Sequence, residues 1–293
     1  PNVQRVSGDV VLNAAQFSFD WQTGFDVSLM QGDGYGGEVE FRVLFLDDFD
    51  DRITGMTADN PPANPTNFSI NFLNNNLQDL PAPLVLLSDT RTAPTNITAD
   101  YHSEFRTIEM NYRESFTPWW TCMVGFRYAN LDDELDIRTS SANNLVSRHA
   151  YYVDNDMFGF QAGTEMILAS NPVGWDIITT LKGGVYYNRV DLRVFNQGDP
   201  NVSGNADFRN GRLAFVTGET AWLGEATLQA RRHVGCNGTL ALGYSLLSID
   251  GVSVATEQLT TVANPLAGGD LQGSSNRSTL FYHGANVGVE FRW

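Results

Sequence analysis

The sequence lacks long apolar runs and is poor in positive charge. No stretch approaches the roughly 18 consecutive apolar residues that a membrane-spanning helix needs, so a helical membrane protein is excluded. The 34 Asp and Glu residues outnumber the 18 Lys and Arg residues, which gives a formal net charge of −16. Because nucleic-acid binding relies on a basic surface, this balance argues against nucleic acid as a partner.

Cysteines, helical patterns and catalytic motifs are equally scarce. The two cysteines, Cys122 and Cys236, do not establish an oxidising compartment, and we expect both thiols to be free. Helical periodicity with capping boxes is hard to find. A nucleophile elbow, zinc-ligand spacing and a phosphate-binding loop before a helix are all missing, so the sequence predicts neither an enzyme nor a bound cofactor.

Period-two alternation of apolar and polar residues is the dominant pattern in the chain. A hydrophobic fraction of 42% with 12% aromatic residues is too high for a disordered acidic chain. In residues 17–29, aromatic and aliphatic side chains occupy nearly every odd position. The pattern recurs at Val39–Phe45, Trp120–Tyr128, Phe158–Leu168, Trp175–Tyr187, Leu240–Leu246 and Phe281–Trp293. The sequence therefore predicts an all-β protein.

The links between these segments alternate between short and long. Those at 31–36, 114–118, 170–174 and 232–238 are short, whereas those at 48–97, 131–150, 190–208 and 250–276 are long and polar. Brief periplasmic turns and long outer loops are typical of transmembrane β-barrels. Such a sheet must close on itself, because unpaired backbone amides in lipid cost several kcal/mol each.

The predicted fold is thus a closed antiparallel transmembrane β-barrel in one domain, residues 1–293, with a long outer loop at about 48–97. Nine strands are recognisable, and bacterial single-chain barrels have even numbers, so we expect about ten, with eight or twelve as alternatives. A further strand could lie in 67–73, in 10–15 or before Pro1. The chain begins without Met or a leader, which fits either removal of an export signal or a beginning that is not shown.

The last eight residues, Asn286–Trp293, alternate apolar with small or polar positions and end on an aromatic residue. They resemble the terminal recognition signature of bacterial outer-membrane barrels, with Trp293 in place of the more common Phe. This resemblance implies an assembly signal at Asn286, Gly288, Phe291 and Trp293, and the barrel-assembly machinery as a partner during biogenesis.

A set of internal segments occurs in a recognisable order: 17–21, 101–104 with 109–113, 125–128 with 131–134, 155–163, 181–188, and Gly243-Tyr244 ahead of Gly251-Val252. Together they resemble the putative β-barrel porin family found mainly in planctomycete bacteria. The resemblance implies a location in the outer membrane, with its lipid as a partner, and a pore or scaffold role, but it supplies no substrate.

The polar faces of the predicted strands supply the candidate lumen-lining residues, in which eight acids outnumber four bases. A barrel of about ten strands has a narrow interior, so we expect a paired network with at most a thin, cation-preferring path. A purely structural charge ladder is the alternative. Glu109 and Arg127 are expected to pair across adjacent strands. The candidates are Asp20, Asp26, Glu40, Arg42, Glu109, Asn111, Arg127, Gln161, Glu165, Lys182, Asn188, Glu219, Glu225, Gln229, Glu290 and Arg292.

Clustered carboxylates at Asp47, Asp48, Asp50 and Asp51 are weak calcium candidates at the entrance of the longest loop. They do not match the spacing of an EF-hand loop, so solvated loop charge is the favoured interpretation.

Three hypotheses for function follow. The first is a porin-like channel for small solutes or ions with an acidic lumen. The second is a structural barrel that assembles into a homo-oligomer or array through its loops. The third is a soluble, secreted β-sandwich that binds a ligand.

Overall fold

The computed structural model describes residues 2–4, 10–13, 22–32, 34, 36–56, 95–141, 144–198, 211–235, 237–258 and 277–291. Within these residues the chain is almost entirely β, and no helix is long and apolar enough to cross a membrane. The strands are β1 (Asn2–Gln4), β2 (Val10–Asn13), β3 (Gly24–Gly32), β4 (Gly37–Met56), β5 (Thr95–Thr117), β6 (Trp120–Ser141), β7 (Asn144–Asn171), β8 (Trp175–Gly198), β9 (Gly211–Val234), β10 (Gly238–Val252) and β11 (Ser278–Phe291), with one short helix, α1 (Ala255–Gln258), after β10.

Strands β3 to β11 form one sheet of nine antiparallel strands, each hydrogen-bonded to its neighbours in the chain. This confirms the predicted all-β, antiparallel fold. Residues 10–13, where a further strand was expected, do form β2, but β2 pairs with β1 in a separate two-stranded sheet. The alternative location at 67–73 lies outside the described residues. In a nine-stranded antiparallel order the edge strands β3 and β11 run in the same direction.

The connections confirm the predicted short turns and correct the long links. Strands β5 and β6 are joined through Pro118 and Trp119. At the other three short connections, β3 ends at Gly32 and β4 begins at Gly37, β7 ends at Asn171 and β8 begins at Trp175, and β9 ends at Val234 and β10 begins at Gly238. The predicted links at 131–150 and 190–208 are wrong in extent, because β6 continues to Ser141, β7 begins at Asn144 and β8 runs to Gly198. The predicted link at 48–97 is likewise wrong at both ends, because β4 continues to Met56 and β5 begins at Thr95, and the predicted link at 250–276 contains the end of β10 and α1.

The part of the sheet next to the short turns exposes its apolar row, and we call it the belt tier. It comprises, for example, Trp120–Tyr128 on β6, Phe158–Leu168 on β7 and Trp175–Tyr187 on β8. Phe160, Val185 and Val289 are 78%, 43% and 62% exposed, whereas Gln161 and Lys182 on the opposite row are buried. The belt tier is therefore apolar outside and polar inside.

The remainder of the long strands inverts this polarity, and we call it the outer tier. It includes 129–141 on β6, 144–157 on β7 and 188–198 on β8. On β6, Leu131, Leu135 and Ile137 are buried, while Asp132 and Glu134 occupy the outward row. Two apolar clusters, one including Ile97, Leu135, Val153 and Leu192 and the other Phe105, Leu131, Met157 and Ile249, fill this interior. The outer tier is built like a water-soluble β protein.

The polarity switches at register-paired positions on four neighbouring strands. The rings of Tyr128, Phe158 and Tyr187 stack side by side with centroids 6.0 Å apart. Amphipathic aromatic rings favour the boundary between an apolar phase and water. Going from the short turns toward the outer tier, the outward row of the belt ends at Ile108, Tyr128, Phe158 and Tyr187. The next residues of the same row are polar: Arg106, Asn130, Asp156 and Arg189.

Candidate functional site

The interior of the belt tier holds an ionic cluster centred on Glu109, whose side chain is fully buried. Its carboxylate contacts Arg42 Nη1 at 3.0 Å, Lys182 Nζ at 3.0 Å and the guanidinium of Arg127. The side-chain amide of Gln161 also donates to Glu109 Oε2 at 2.7 Å. Five strands contribute to this cluster, because the sheet curves enough to bring inward-facing side chains together. A buried carboxylate needs such partners to offset its desolvation.

A second buried carboxylate, Glu225 on β9, completes the centre of the cluster. It contacts Arg42 Nη1 at 2.7 Å and Arg127 Nη2 at 2.8 Å. Arg42 also reaches Asp26 at 2.7 Å, toward the edge of the sheet. Glu109 and Glu225 therefore share two guanidinium groups, which ties β4, β5, β6 and β9 together across the interior.

Further ion pairs extend the cluster toward the short turns. Arg113 Nη2 lies 3.1 Å from Glu165 and its Nη1 lies 3.5 Å from Glu40. The Asn111 amide donates to Glu40 at 3.1 Å and to Glu109 at 3.1 Å, which links these pairs to the centre. Four buried or nearly buried carboxylates thus face four cations. The acidic excess predicted for the polar faces as a whole does not extend to this cluster.

The interior of the outer tier is filled by the segment Gly251–Gln258, which we call the tucked segment. Gly251 has φ of +79°, a conformation that glycine adopts at low cost, and the chain turns inward there after β10. Asn155 Nδ2 donates to Ser253 O at 2.8 Å, and Ser253 N donates back to Asn155 Oδ1 at 2.9 Å. Ala255 N donates to Asp133 Oδ1 at 2.6 Å. Three inward side chains of the wall therefore hold the segment, since Asn188 Nδ2 also donates to Gly251 O at 3.3 Å.

Two carboxyl groups of the outer tier, outside the belt, have raised pKa values. Burial raises the pKa of Asp133 to about 6, although hydrogen bonds from Tyr101 and Ala255 oppose the shift. Partial burial and the adjacent carboxylates Asp132 and Asp156 raise the pKa of Asp154 to about 6. Asp133 faces the tucked segment and Asp154 lies on the outer wall.

The predicted lumen-lining residues fall into three groups in the structure. The predicted pair Glu109 and Arg127 is in register and in contact. Asp26 is more open, with a side chain 45% exposed, and Asp20 and Arg292 lie outside the described residues. The buried members are Glu40, Arg42, Glu109, Asn111, Arg127, Gln161, Lys182, Asn188 and Glu225, and those of intermediate burial are Glu165, Glu219, Gln229 and Glu290. Whether they line a pore stays a prediction.

The other predicted sites are only partly placed. In the terminal signature, Asn286 Nδ2 donates to Ser245 Oγ at 2.8 Å, Gly288 lies on the inward row and Phe291 is exposed, while Trp293 lies outside the described residues. Its role in assembly stays a prediction. Cys122 is a free thiol, and Cys236 is outside the described residues.

The acidic run Asp47, Asp48, Asp50 and Asp51 lies within β4 and not in a loop, because that strand continues to Met56. This corrects the predicted location of the run. Calcium binding there stays a prediction.

Arg113, Asp133 and Asn155 are buried in the interior but are absent from the predicted lumen-lining set. Arg113 shares its parity with Glu109 and Asn111, so the alternation along β5 could have included it. Asp133 and Asn155 lie in the outer tier, where adjacent apolar residues of the same parity indicate a buried row. Their partners in the tucked segment have no signal in the sequence.

These features define a class: an all-β protein with a strongly curved antiparallel sheet, an apolar outer belt and an ionic interior. A family model described as "Putative beta barrel porin-7" matches residues 7–293. The chain therefore belongs to this putative β-barrel porin family. Neither the curated proteins nor the solved structures that were searched gave a match.

Proposed function

We propose that the chain spans the bacterial outer membrane as a β-barrel with a sealed interior and serves as a structural surface barrel, not as an open pore. The belt supports the membrane location, because exposed apolar side chains favour hydrocarbon over water. Its segments Trp120–Tyr128 on β6 and Phe158–Leu168 on β7 match the about 9 to 11 residues with which a tilted strand crosses a bilayer. Family membership supports the same location.

Closure of the sheet is part of this proposal. The rings of Phe49 on β4 and Tyr282 on β11 lie 5.2 Å apart, so strands near the two edges of the sheet approach each other. A closed sheet removes the unpaired edge amides that lipid would penalise. The edges β3 and β11, which run in the same direction, would then meet in a parallel seam.

The observation that carries the sealed interior is the complete burial of Glu109 and Arg127 at the centre of the ionic cluster. An ion path needs hydrated space, whereas Glu109 and Arg127 are in direct contact with each other and with further charged side chains. Only Nη2 of Arg127 makes these contacts, and its Nε and Nη1 are buried without a hydrogen-bond partner among the described residues. The tucked segment fills the interior again in the outer tier, so a solute would have to displace two separate barriers. A structural role does not require either barrier to open.

Conductance of the purified full chain in planar lipid bilayers tests the proposal. We expect no conductance steps after confirmed insertion, with an open trimeric porin as the positive control for the membrane system. Regular conductance steps from the unmodified protein would refute the sealed interior.

A porin-like channel remains the second candidate, and the family description favours it. It would conduct small ions past the ionic cluster, with a preference for cations if acids control the path. In that case Glu225→Gln, which removes one of the two central carboxylates, should change ion selectivity. A sealed barrel does not conduct, so it has no ion selectivity that the substitution could alter. The same bilayer recording therefore separates the structural barrel from the porin-like channel.

The remaining parts of the proposal concern partners and location. We expect the protein to sediment with the outer-membrane fraction and to be extracted only with detergent. Release of the protein from cells without detergent would favour the soluble secreted alternative. Assembly into a homo-oligomer or array would appear as defined multimers on native gels. Porins are non-enzymatic proteins, and we propose no catalytic activity for this chain.

A further inference from the structure

A separate group of side chains lies on the outward face of the outer tier, away from the ionic cluster. Asp48 on β4 and His102 and Glu104 on β5 place their ligand atoms within 4.8 Å of one another. It is the one such group of His, Cys, Asp or Glu side chains found in the described part of the chain. We propose that Asp48, His102 and Glu104 bind a divalent transition-metal ion, with Zn²⁺ as the ion that fits the donor set best.

A β-bulge brings Asp48 to this face. The register between β4 and β5 shifts between Leu46 and Phe49, so β4 carries an extra residue opposite Glu104. Before the bulge, even-numbered residues of β4 such as Arg42 point inward. After the bulge, the even-numbered residue Asp50 pairs with His102, which faces outward, so even-numbered residues of β4 then face outward too. Bulges re-aim side chains in this way and are common beside functional sites. A regular strand would have pointed Asp48 into the interior.

Asp50 orients the imidazole for metal binding. His102 Nδ1 lies 2.5 Å from Asp50 Oδ1, while His102 Nε2 faces Asp48 Oδ1 at 3.9 Å. A carboxylate that holds one ring nitrogen as N–H leaves the other nitrogen with its lone pair free to ligate. This carboxylate–histidine arrangement is the usual outer shell of a protein-bound metal. Asp50 is therefore a positioning residue, and Asp48, His102 and Glu104 are the ligands.

The donor set selects the class of ion. One imidazole and two carboxylates suit Zn²⁺, which binds nitrogen and oxygen at about 2.0 to 2.2 Å, whereas Ca²⁺ takes six to eight oxygens. Tetrahedral geometry at these bond lengths requires ligand atoms roughly 3.3 Å apart, so the group must contract slightly on binding. The side chains of Asp48 and His102 are 46% and 36% exposed, which leaves them room to rotate. The fourth position stays open to water.

The test is a Zn²⁺ titration of the full chain, purified in detergent and stripped with a chelator, against a chromophoric competitor. We expect one Zn²⁺ per chain. His102→Gln should weaken binding by at least about 100-fold, and Asp50→Asn by about 10-fold through loss of orientation. The matched control is His233→Gln, since His233 Nε2 also contacts a carboxylate, Asp176, at 3.0 Å. This control should bind Zn²⁺ like the unmodified chain.

Three results would overturn the proposal: unchanged affinity in the His102→Gln variant, an equal loss in the His233→Gln variant, or displacement of Zn²⁺ by an equal concentration of Ca²⁺. The heat-dependent mobility of each variant on SDS gels checks that it is folded. All substituted positions in the site are on the outer surface, so the barrel should form in each case. Asp48→Asn gives a second, independent ligand variant, with an expected loss of about 10-fold or more.

Discussion

Replacing Glu109 by glutamine removes the central negative charge of the ionic cluster with almost no change in shape. Glu109 contacts three cations, and its side chain is fully buried. After the substitution Lys182 loses its 3.0 Å ion pair, and Arg42 and Arg127 keep Glu225 as the carboxylate they share. Breaking a buried ion pair by removing one partner costs about 3 to 5 kcal/mol, because the other charge stays desolvated. We expect the free energy of unfolding to fall by that amount.

Urea unfolding of the chain folded into lipid vesicles, followed by tryptophan fluorescence, measures this change. The matched control is Glu114→Gln on the same strand, where the side chain is exposed. The control should stay within about 0.5 kcal/mol of the unmodified chain. A loss below about 1 kcal/mol for Glu109→Gln would refute the view that the cluster is a dry, mutually dependent network.

A charge-balanced double variant tests the same reasoning from the other side. Glu109→Gln combined with Arg127→Met removes one charge of each sign from neighbouring positions on β5 and β6. Apolar replacement of a buried pair is often far less costly than breaking it. The double variant should therefore be more stable than Glu109→Gln alone, and simple additivity of the two single losses would contradict the coupling.

Three further predictions concern the two tiers. Asn155→Ala removes two hydrogen bonds to Ser253 and should cost about 1 to 3 kcal/mol, with faster hydrogen exchange at the tucked segment; unchanged exchange would show that the segment is held otherwise. Because the pKa of Asp133 is about 6, above the ordinary Asp value of about 3.9, the native state holds this proton more tightly than the unfolded chain. The Asp133 carboxyl should thus lower stability by about 2 kcal/mol as pH rises from about 4.5 to 7.5. Asp133→Asn should remove that share of the pH dependence in urea unfolding and leave the share from Asp154, whose pKa is also about 6. Leu181→Arg, at an exposed belt position, should cost about 2 to 4 kcal/mol in lipid vesicles, whereas a cost near zero would argue against lipid contact there.

The predicted outward orientation of the belt was recoverable from alternation, because successive side chains of a strand point to opposite faces. Phe160 is exposed and the adjacent Gln161 is buried, as the pattern requires. The same alternation of buried and exposed residues continues into the outer tier. Leu131, Leu135 and Ile137 alternate with acids, but the inverted polarity and the many acids give this region the composition of a polar link. Composition alone therefore ends these strands too early, whereas the period of alternation continues through them.

The sequence by itself determined the all-β class, the short turns and the face on which each belt residue lies, since these depend on local alternation and turn residues. Only the tertiary structure decided which interior charges meet. Arg127 and Glu225 are 98 residues apart in the chain, and their contact depends on the curvature and stagger of the whole sheet. The bulge at Asp48 and the inward turn at Gly251 are also tertiary features, because a local pattern assigns a face but not a depth, a neighbour across the interior or a register shift.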